Sequence, residues 1–360
     1  MNKTTNLPKT HRPFTDKYFL RTAEILRYDD VNPYVKMQVF VRKGPGEIRG
    51  LEEAVEILEK YSNLRKNGGH IFTLPEGSQY ESGEVVMTIE GFLQDFVELE
   101  TMYLGVISAA TTLANDGVEP TYESVHKRAK ELVEVANGKP CLYFGARHWH
   151  YSLDEMITKS ALDAGFAGSS TDIGARTHDL EGSGTIPHAL VLAYGSTVEA
   201  AKAFNKYVDE KVPRIVLIDT FNREISDTLA TCYALGNKLA GIRIDTCGEN
   251  ICEKGTENNG TNYETGHGVT IENVRNVRQA LDANGFQNVK IYVSSGFGKV
   301  DKVKSFIEAE KKYGRLVDGF GIGGLFDARF ATADVVRKNG QLFSKTGRYE
   351  KPTEKLMEVF

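Results

Sequence analysis

Cysteine is scarce in this chain: four in 360 residues, at Cys141, Cys232, Cys247 and Cys252. They form no paired Cys-x-x-Cys units, which argues against a tetrahedral zinc site. Cys247 and Cys252 are either a metal or redox pair or, on the plainer reading, two reduced thiols in a loop. Excess positive charge is also missing. The formal net charge is −5, which gives no sign of a nucleic-acid or membrane surface, so any phosphate site must be built locally from a few cations and backbone N–H groups. No apolar run approaches the roughly 20 residues needed to span a bilayer. Met1 to Thr15 is polar and lacks the apolar centre of a signal peptide. The expectation is a cytoplasmic protein, in which the Asn259-Gly260-Thr261 sequon is incidental. No internal repeat or low-complexity tract is present, and no dinucleotide fingerprint or Walker A lysine is found.

What remains is an ordinary globular composition, with 41% hydrophobic and 26% charged residues, in a length that suits two domains or one barrel with an attached partner domain. The first part is mixed. Tyr34 to Val41 and Glu84 to Ile89 read as strands, Leu51 to Lys60 as a helix, Phe92 to Ala114 as one long buried helix, and Pro120 to Ala136 as an amphipathic helix. From Lys139 short apolar runs alternate with helical patterns. Strands are expected at Pro140–Phe144, Ile215–Ile218, Gly241–Ile244, Val289–Val293 and Val317–Gly321. Helices are expected from Ser152, capped with Glu155 and closed by Gly165, and around Ile271–Leu281 and Val300–Ile307. This alternation implies parallel strands with crossover helices, in a doubly wound sheet or a barrel. Residues 248–268 carry no apolar period and are expected to form a disordered or mobile surface loop.

The polar residues of interest follow the strands. Asp219-Thr220, Asp245-Thr246 after Arg243, Ser294-Ser295-Gly296, and Ile322-Gly323-Gly324 stand at four successive strand ends, the edge where a barrel builds its site. Singly, each Asp or Ser could simply cap a helix. The glycine run from Gly319 to Gly324 could cradle an anion or could be packing. His188 follows a Gly-rich turn and could act as acid, base or nucleophile, or be structural. Phe144 beside Arg147 could stack a flat ring and hold a carboxylate, or could be a core ring next to a surface cation. His148 and His150 flank Trp149, with a packed or surface role favoured over metal ligation.

Taken in order, Thr15-Asp16-Lys17-Tyr18, Phe144-Gly145-Ala146-Arg147, Ala167-Gly168-Ser169-Ser170-Thr171, Gly184-Thr185-Ile186-Pro187-His188, Ile218-Asp219-Thr220, Arg243-Ile244-Asp245-Thr246, Ser294-Ser295-Gly296 and Gly321-Ile322-Gly323-Gly324 resemble the nicotinate/nicotinamide phosphoribosyltransferase family over nearly the whole chain. The resemblance implies an irregular, incomplete α/β barrel over 139–339. It also implies an N-terminal α/β sandwich-like domain over 1–138, with 340–360 as its candidate completion. It further implies transfer of phosphoribose from phosphoribosyl pyrophosphate (PRPP) to nicotinate, with Mg2+ carried on the diphosphate and no protein metal ligands. ATP hydrolysis is expected to be coupled through phosphorylation of His188. The expected assembly is a homodimer with shared sites. Phe144 would stack on the pyridine, with Tyr18 of the partner chain on the other face and Asp16 beside it. Arg147 would bind the carboxylate or product phosphate, and Thr185 would line the substrate site. Arg243, Asp245 and Asp219 would meet PRPP, and Ser294, Ser295, Gly296, Gly321, Gly323 and Gly324 its 5′-phosphate. His188, Asp245 and Asp219 are thus the catalytic candidates.

Nicotinamide-using relatives carry an aspartate where this chain has Ser170. A serine does not repel a carboxylate, which favours nicotinate. Ser344-Lys345-Thr346-Gly347-Arg348 resembles a basic segment of the family whose cations meet phosphates. The alternatives are a nicotinamide or quinolinate phosphoribosyltransferase, or a non-catalytic nucleotide sensor on the same fold.

Overall fold

A computed structural model describes residues 6–258 and 263–360; the sequon at Asn259 lies outside the described residues. Two six-stranded sheets organise the chain. One is parallel, in spatial order Gly168–Ser169, Cys141–Tyr143, Gly319–Ile322, Lys290–Val293, Leu239–Ile244, Arg214–Leu217. Its last strand in sequence, Gly319–Ile322, pairs with its first, Cys141–Tyr143. The strands are short apolar runs with both faces covered, as parallel sheets require. Ile242, Ile244, Ile291, Val293, Phe320 and Ile322 are all buried.

The other sheet is antiparallel. Tyr34–Val41 lies between Val85–Phe92 and Ala331–Lys338. His70–Thr73 and Met357–Glu358 extend one side, and Gln341–Leu342 the other. The chain returns to this sheet at Ala331, within the span expected of the barrel. Helix Lys17–Tyr28 buries Tyr18, Phe19, Ala23, Ile25 and Leu26 along one face. Helix Glu100–Asp116 is buried along most of its length. Among the described residues, no helix is long and apolar enough to cross a membrane.

The structure corrects four local expectations. The long helix from Phe92 is broken. Phe92 ends a strand, and a 3-10 turn at Val97–Leu99 precedes helix Glu100–Asp116. At that turn Glu98 gathers His11 and Arg27 at 2.8 and 2.7 Å. Ser152 caps nothing. Its hydroxyl is engaged by His150 Nδ1 at 2.7 Å, and the helix runs from Asp154 to Asp163. Strand Ala331–Lys338 went unread because its burial does not alternate. The described parts of 248–268 are pinned. Glu253 accepts from the N–H groups of Ile225 and Ser226 at the start of helix Glu224–Leu235, and Thr256 N–H donates to Glu272. A carboxylate at a helix N-terminus is well placed for the unpaired N–H groups there.

Candidate active site

Strand ends of the parallel sheet deliver a compact charged group. Arg243 lies near the end of one strand and Asp245 follows it, Asp219 follows the next, and Ser294 a third. Ser294 Oγ donates to Asp245 Oδ1 at 2.6 Å. Asp245 N–H donates to Asp219 Oδ1 at 3.1 Å. Arg243 is buried, with Nη1 3.3 Å from Ser294 Oγ and 4.0 Å from Asp245 Oδ2. His188 opens helix His188–Tyr194 and turns its ring onto this group, with Nε2 3.5 Å from Asp245 Oδ2.

Lys345 completes the cluster from the far end of the chain. Its ammonium donates to Asp219 Oδ2 at 2.6 Å and to the carbonyl of Asp245 at 3.0 Å, and lies 2.9 Å from His188 Nε2. Burial alone would lower the Lys345 pKa, but Asp219 and Asp245 outweigh it and the pKa is raised. An ammonium can only donate, so His188 Nε2 accepts, and the ring proton sits on Nδ1, 2.9 Å from Thr220 Oγ. Burial first, and then Lys345, lower the His188 pKa against the pull of both aspartates. The imidazole is therefore neutral, with its lone pair toward the cleft. Asp245 is held well below the usual carboxylate range. Burial opposes this, but the charges of Arg243 and Lys345 prevail.

The cleft over this group holds about 180 Å³ and is closed by the antiparallel sheet and its neighbours: Arg42, Asp334, Arg348, Glu100, Tyr18 and Arg147. Arg147 Nη2 lies 3.3 Å from Asp16 and Nη1 3.4 Å from Glu100. Its guanidinium carbon is 5.6 Å from the Tyr18 ring centre, within cation–π range. Burial, with Asp16 and Asp334 nearby, pushes the Glu100 carboxyl well above its ordinary value. Glu100, Arg42 and Asp334 gave no local signal in the sequence, whereas Lys345 stood out as part of a basic segment.

The resemblance assigned Tyr18 and Asp16 to a partner chain. Within the single chain, Tyr18 lines the cleft with its ring against Gly184, Asp16 is buried and pairs with Arg147, and Lys17 N–H donates to Ser170 O at 2.7 Å. Ser170 is buried behind this contact, and its hydroxyl has no partner.

Other expected residues fall elsewhere. Phe144, Thr185 and Gly321 line an adjoining cleft of about 250 Å³ with Arg21 and Lys211, and Arg243 faces both clefts. A Cβ at Gly321 would strike the Phe144 ring at 2.6 Å, so the glycine lets that ring lie flat on the strand end. Ser295 faces the first cleft. Ser295 and Gly296 have φ of +70° and +81°. Lys302 donates to Ser295 O at 3.0 Å, with its pKa lowered to about 8 by burial and by Lys299. Gly323 packs on His148, and the Gly324 carbonyl on Gly298. His148 stacks on Phe330 and is held neutral, its pKa lowered to about 3 by burial and Arg147. His150 pairs with Glu53. All four cysteines are free and buried. Among the described residues, no group of His, Cys, Asp and Glu is arranged to hold a metal.

A family model described as the quinolinate phosphoribosyl transferase N-terminal domain matches residues 16–111. A nicotinate phosphoribosyltransferase of Mycobacterium tuberculosis is 24% identical over 86% of this chain and 65% of its own length, so the chain spans just under two thirds of that relative. A nicotinate-nucleotide pyrophosphorylase from Pyrococcus furiosus is 28% identical, covering 98% of this chain and 82% of that one, with a TM-score of 0.50. The nicotinate phosphoribosyltransferase of Vibrio cholerae shares the fold at a TM-score of 0.64 and 13% identity, over 93% and 87% of the two chains.

Proposed function

We propose, taking as premise that this chain belongs with the nicotinate phosphoribosyltransferases, that it transfers phosphoribose from PRPP to nicotinate in NAD salvage, giving nicotinate mononucleotide and pyrophosphate. The observation that carries the reading is the alternation of charge in one cleft: Asp245 and Asp219 between Lys345, Arg243 and neutral His188. The cations suit a diphosphate leaving group. Asp245, partly exposed, suits the positive charge that grows on the ribose as the bond to pyrophosphate breaks. The parallel sheet is read as an incomplete barrel, since its last and first strands pair as closure requires while its outer strands stay apart.

Magnesium, when bound, neutralises charge on the pyrophosphate. It fits as a passenger on the diphosphate, because the Asp219 oxygens are already taken by Lys345 and the Asp245 amide. The pyridine nitrogen is the nucleophile and needs no activation, so the protein's task is orientation. Arg147 is placed to hold the carboxylate, with the Tyr18 ring beside it. Ser170 adds no charge that would repel it. In the ATP step, His188 Nε2, released from the Lys345 ammonium, attacks the γ-phosphorus and ADP leaves. That nitrogen carries no proton to remove.

The test is product formation from PRPP and magnesium with nicotinate, nicotinamide or quinolinate, each with and without ATP. The reading predicts nicotinate mononucleotide from nicotinate alone, stimulated by ATP, with the stimulation lost in His188→Ala. Turnover of nicotinamide would overturn the Ser170 argument. The match of residues 16–111 favours quinolinate as the second reading, and release of CO2 from that substrate would establish it.

A further inference from the structure

Lys345 lies in a stretch without regular structure, between strand Gln341–Leu342 and the C-terminal strand. No helix or sheet ladder holds it, so its place among Asp219, Asp245 and His188 depends on individual bonds. On one side Thr346 N–H donates to the carbonyl of Thr220 at 3.0 Å. On the other, Asn250 Nδ2 donates to the carbonyl of Thr346 at 2.7 Å. The next residue back, Glu249, lies 3.0 Å from Arg348 Nη1 and 3.2 Å from Arg42 Nη1, tying the segment to strand Tyr34–Val41.

Asn250 is fixed in turn. Its N–H donates to Cys247 O at 3.0 Å, and its carbonyl accepts from Gly268 N–H at 2.8 Å. Opposite it stands Gly347 at φ +83°, where a Cβ would overlap the Asn250 side chain. Farther along, Glu253 N–H donates to buried Glu224 at 2.8 Å, while the Glu253 carboxylate sits on the N-terminus of helix Glu224–Leu235. The loop is thus anchored at one end on a helix and grips the Lys345 segment with the other.

We infer that the loop beginning at Cys247 is a positioning strap. Through Asn250 and Glu249 it holds Thr346 and Arg348, and so sets Lys345 between the two aspartates and the histidine. Asn250 touches none of these three and acts only through the backbone of Thr346. The strap matters because a displacement of about 1 Å at a reacting centre costs on the order of a hundredfold. The inference rests on reading the cleft as a diphosphate site only for its effect on ligand binding; the placement of Lys345 is testable without it.

Two variants isolate the bond. Asn250→Ala removes the donor and volume, while Asn250→Leu removes the donor at roughly constant volume and adds no charge. The first readout is the NMR titration of His188, whose ring is faced by Lys345, Asp219, Asp245 and the Thr220 hydroxyl. With Lys345 loosened, the histidine loses a cation and faces its carboxylates alone, so its titration moves to higher pH in both variants. The second is calorimetric binding of magnesium pyrophosphate, expected to weaken roughly three- to tenfold for one lost hydrogen bond. If Asn250→Ala fails to fold, Asn250→Leu carries the test. An unchanged His188 titration in the folded variants overturns the strap. A shift in Asn250→Ala with none in Asn250→Leu also overturns it, in favour of packing. Wild-type protein that binds no pyrophosphate counts against the functional reading instead, and the histidine titration still decides the strap.

Discussion

The two sheets reach the same cleft by different routes. The parallel sheet brings Arg243, Asp245, Asp219 and Ser294 from neighbouring strand ends, so their spacing follows from the sheet itself. The antiparallel side brings Arg42, Asp334 and, in irregular chain, Lys345 and Arg348, which meet only because Tyr34–Val41 pairs with Ala331–Lys338. The first set comes preassembled by local topology. The second depends on the longest-range pairing in the molecule and on a strap. A charged cleft built this way takes Asp219 and Asp245 from the parallel sheet and Lys345, Arg348 and Arg42 from the antiparallel side.

The sharpest way to break that comparison is to remove one member from each side. Asp245→Asn and Lys345→Gln should each lower the rate of nucleotide formation by about a hundred- to a thousandfold, the usual effect of deleting one group that stabilises developing charge. If Lys345→Gln retained near-wild-type rate, the antiparallel side would be only a cover. Lys345→Gln should also destabilise the fold, because it leaves the buried Asp219 carboxylate without its cation. Thermal melting beside the kinetics separates the two effects.

A smaller effect probes the wall between the sheets. Asp154 is buried beneath the strand-end turn at Thr171, whose hydroxyl donates to it at 2.5 Å. Burial, opposed by that bond and aided by Asp16, raises its pKa to about 7. In the unfolded chain it titrates near ~3.9. Between these values the folded state binds more protons, so stability falls as pH rises through the window and is level above it. The expected loss between pH 5 and 7 is on the order of 2 kcal/mol. Urea melts should show this fall in wild type and a flatter profile in Asp154→Asn. Parallel profiles would mean that Asp154 stays ionised.

The contrast between the sheets also explains what could be read from the chain. Asp219, Asp245 and Ser294 were legible because an apolar run followed by a polar residue marks a strand end, and the strand end is where a parallel α/β fold builds its site. His188 was legible from its Gly-rich turn. Lys345 was visible only as part of a basic segment. Arg42, Glu100 and Asp334 were not visible, since the local pattern at a strand's end, in a helix or in a strand says nothing about a distant partner. The strap was misread for a related reason. Residues 248–258 lack apolar period, and the bonds that order them go to Thr346, Ile225 and Glu272, far away or on other elements.

The most direct test of the account asks whether the cleft that Tyr18 and Asp245 line together within one chain is the working site. Tyr18→Ala and Asp245→Ala chains, each inactive alone, would be mixed under conditions that exchange subunits, and nicotinate mononucleotide formation measured in a confirmed mixed assembly. Because Tyr18 and Asp245 line the same cleft of the same chain, the account predicts that activity stays at the level of the separate variants. Restoration toward a quarter or more of the wild-type rate would contradict it, and would mean that Tyr18 serves its partner's site.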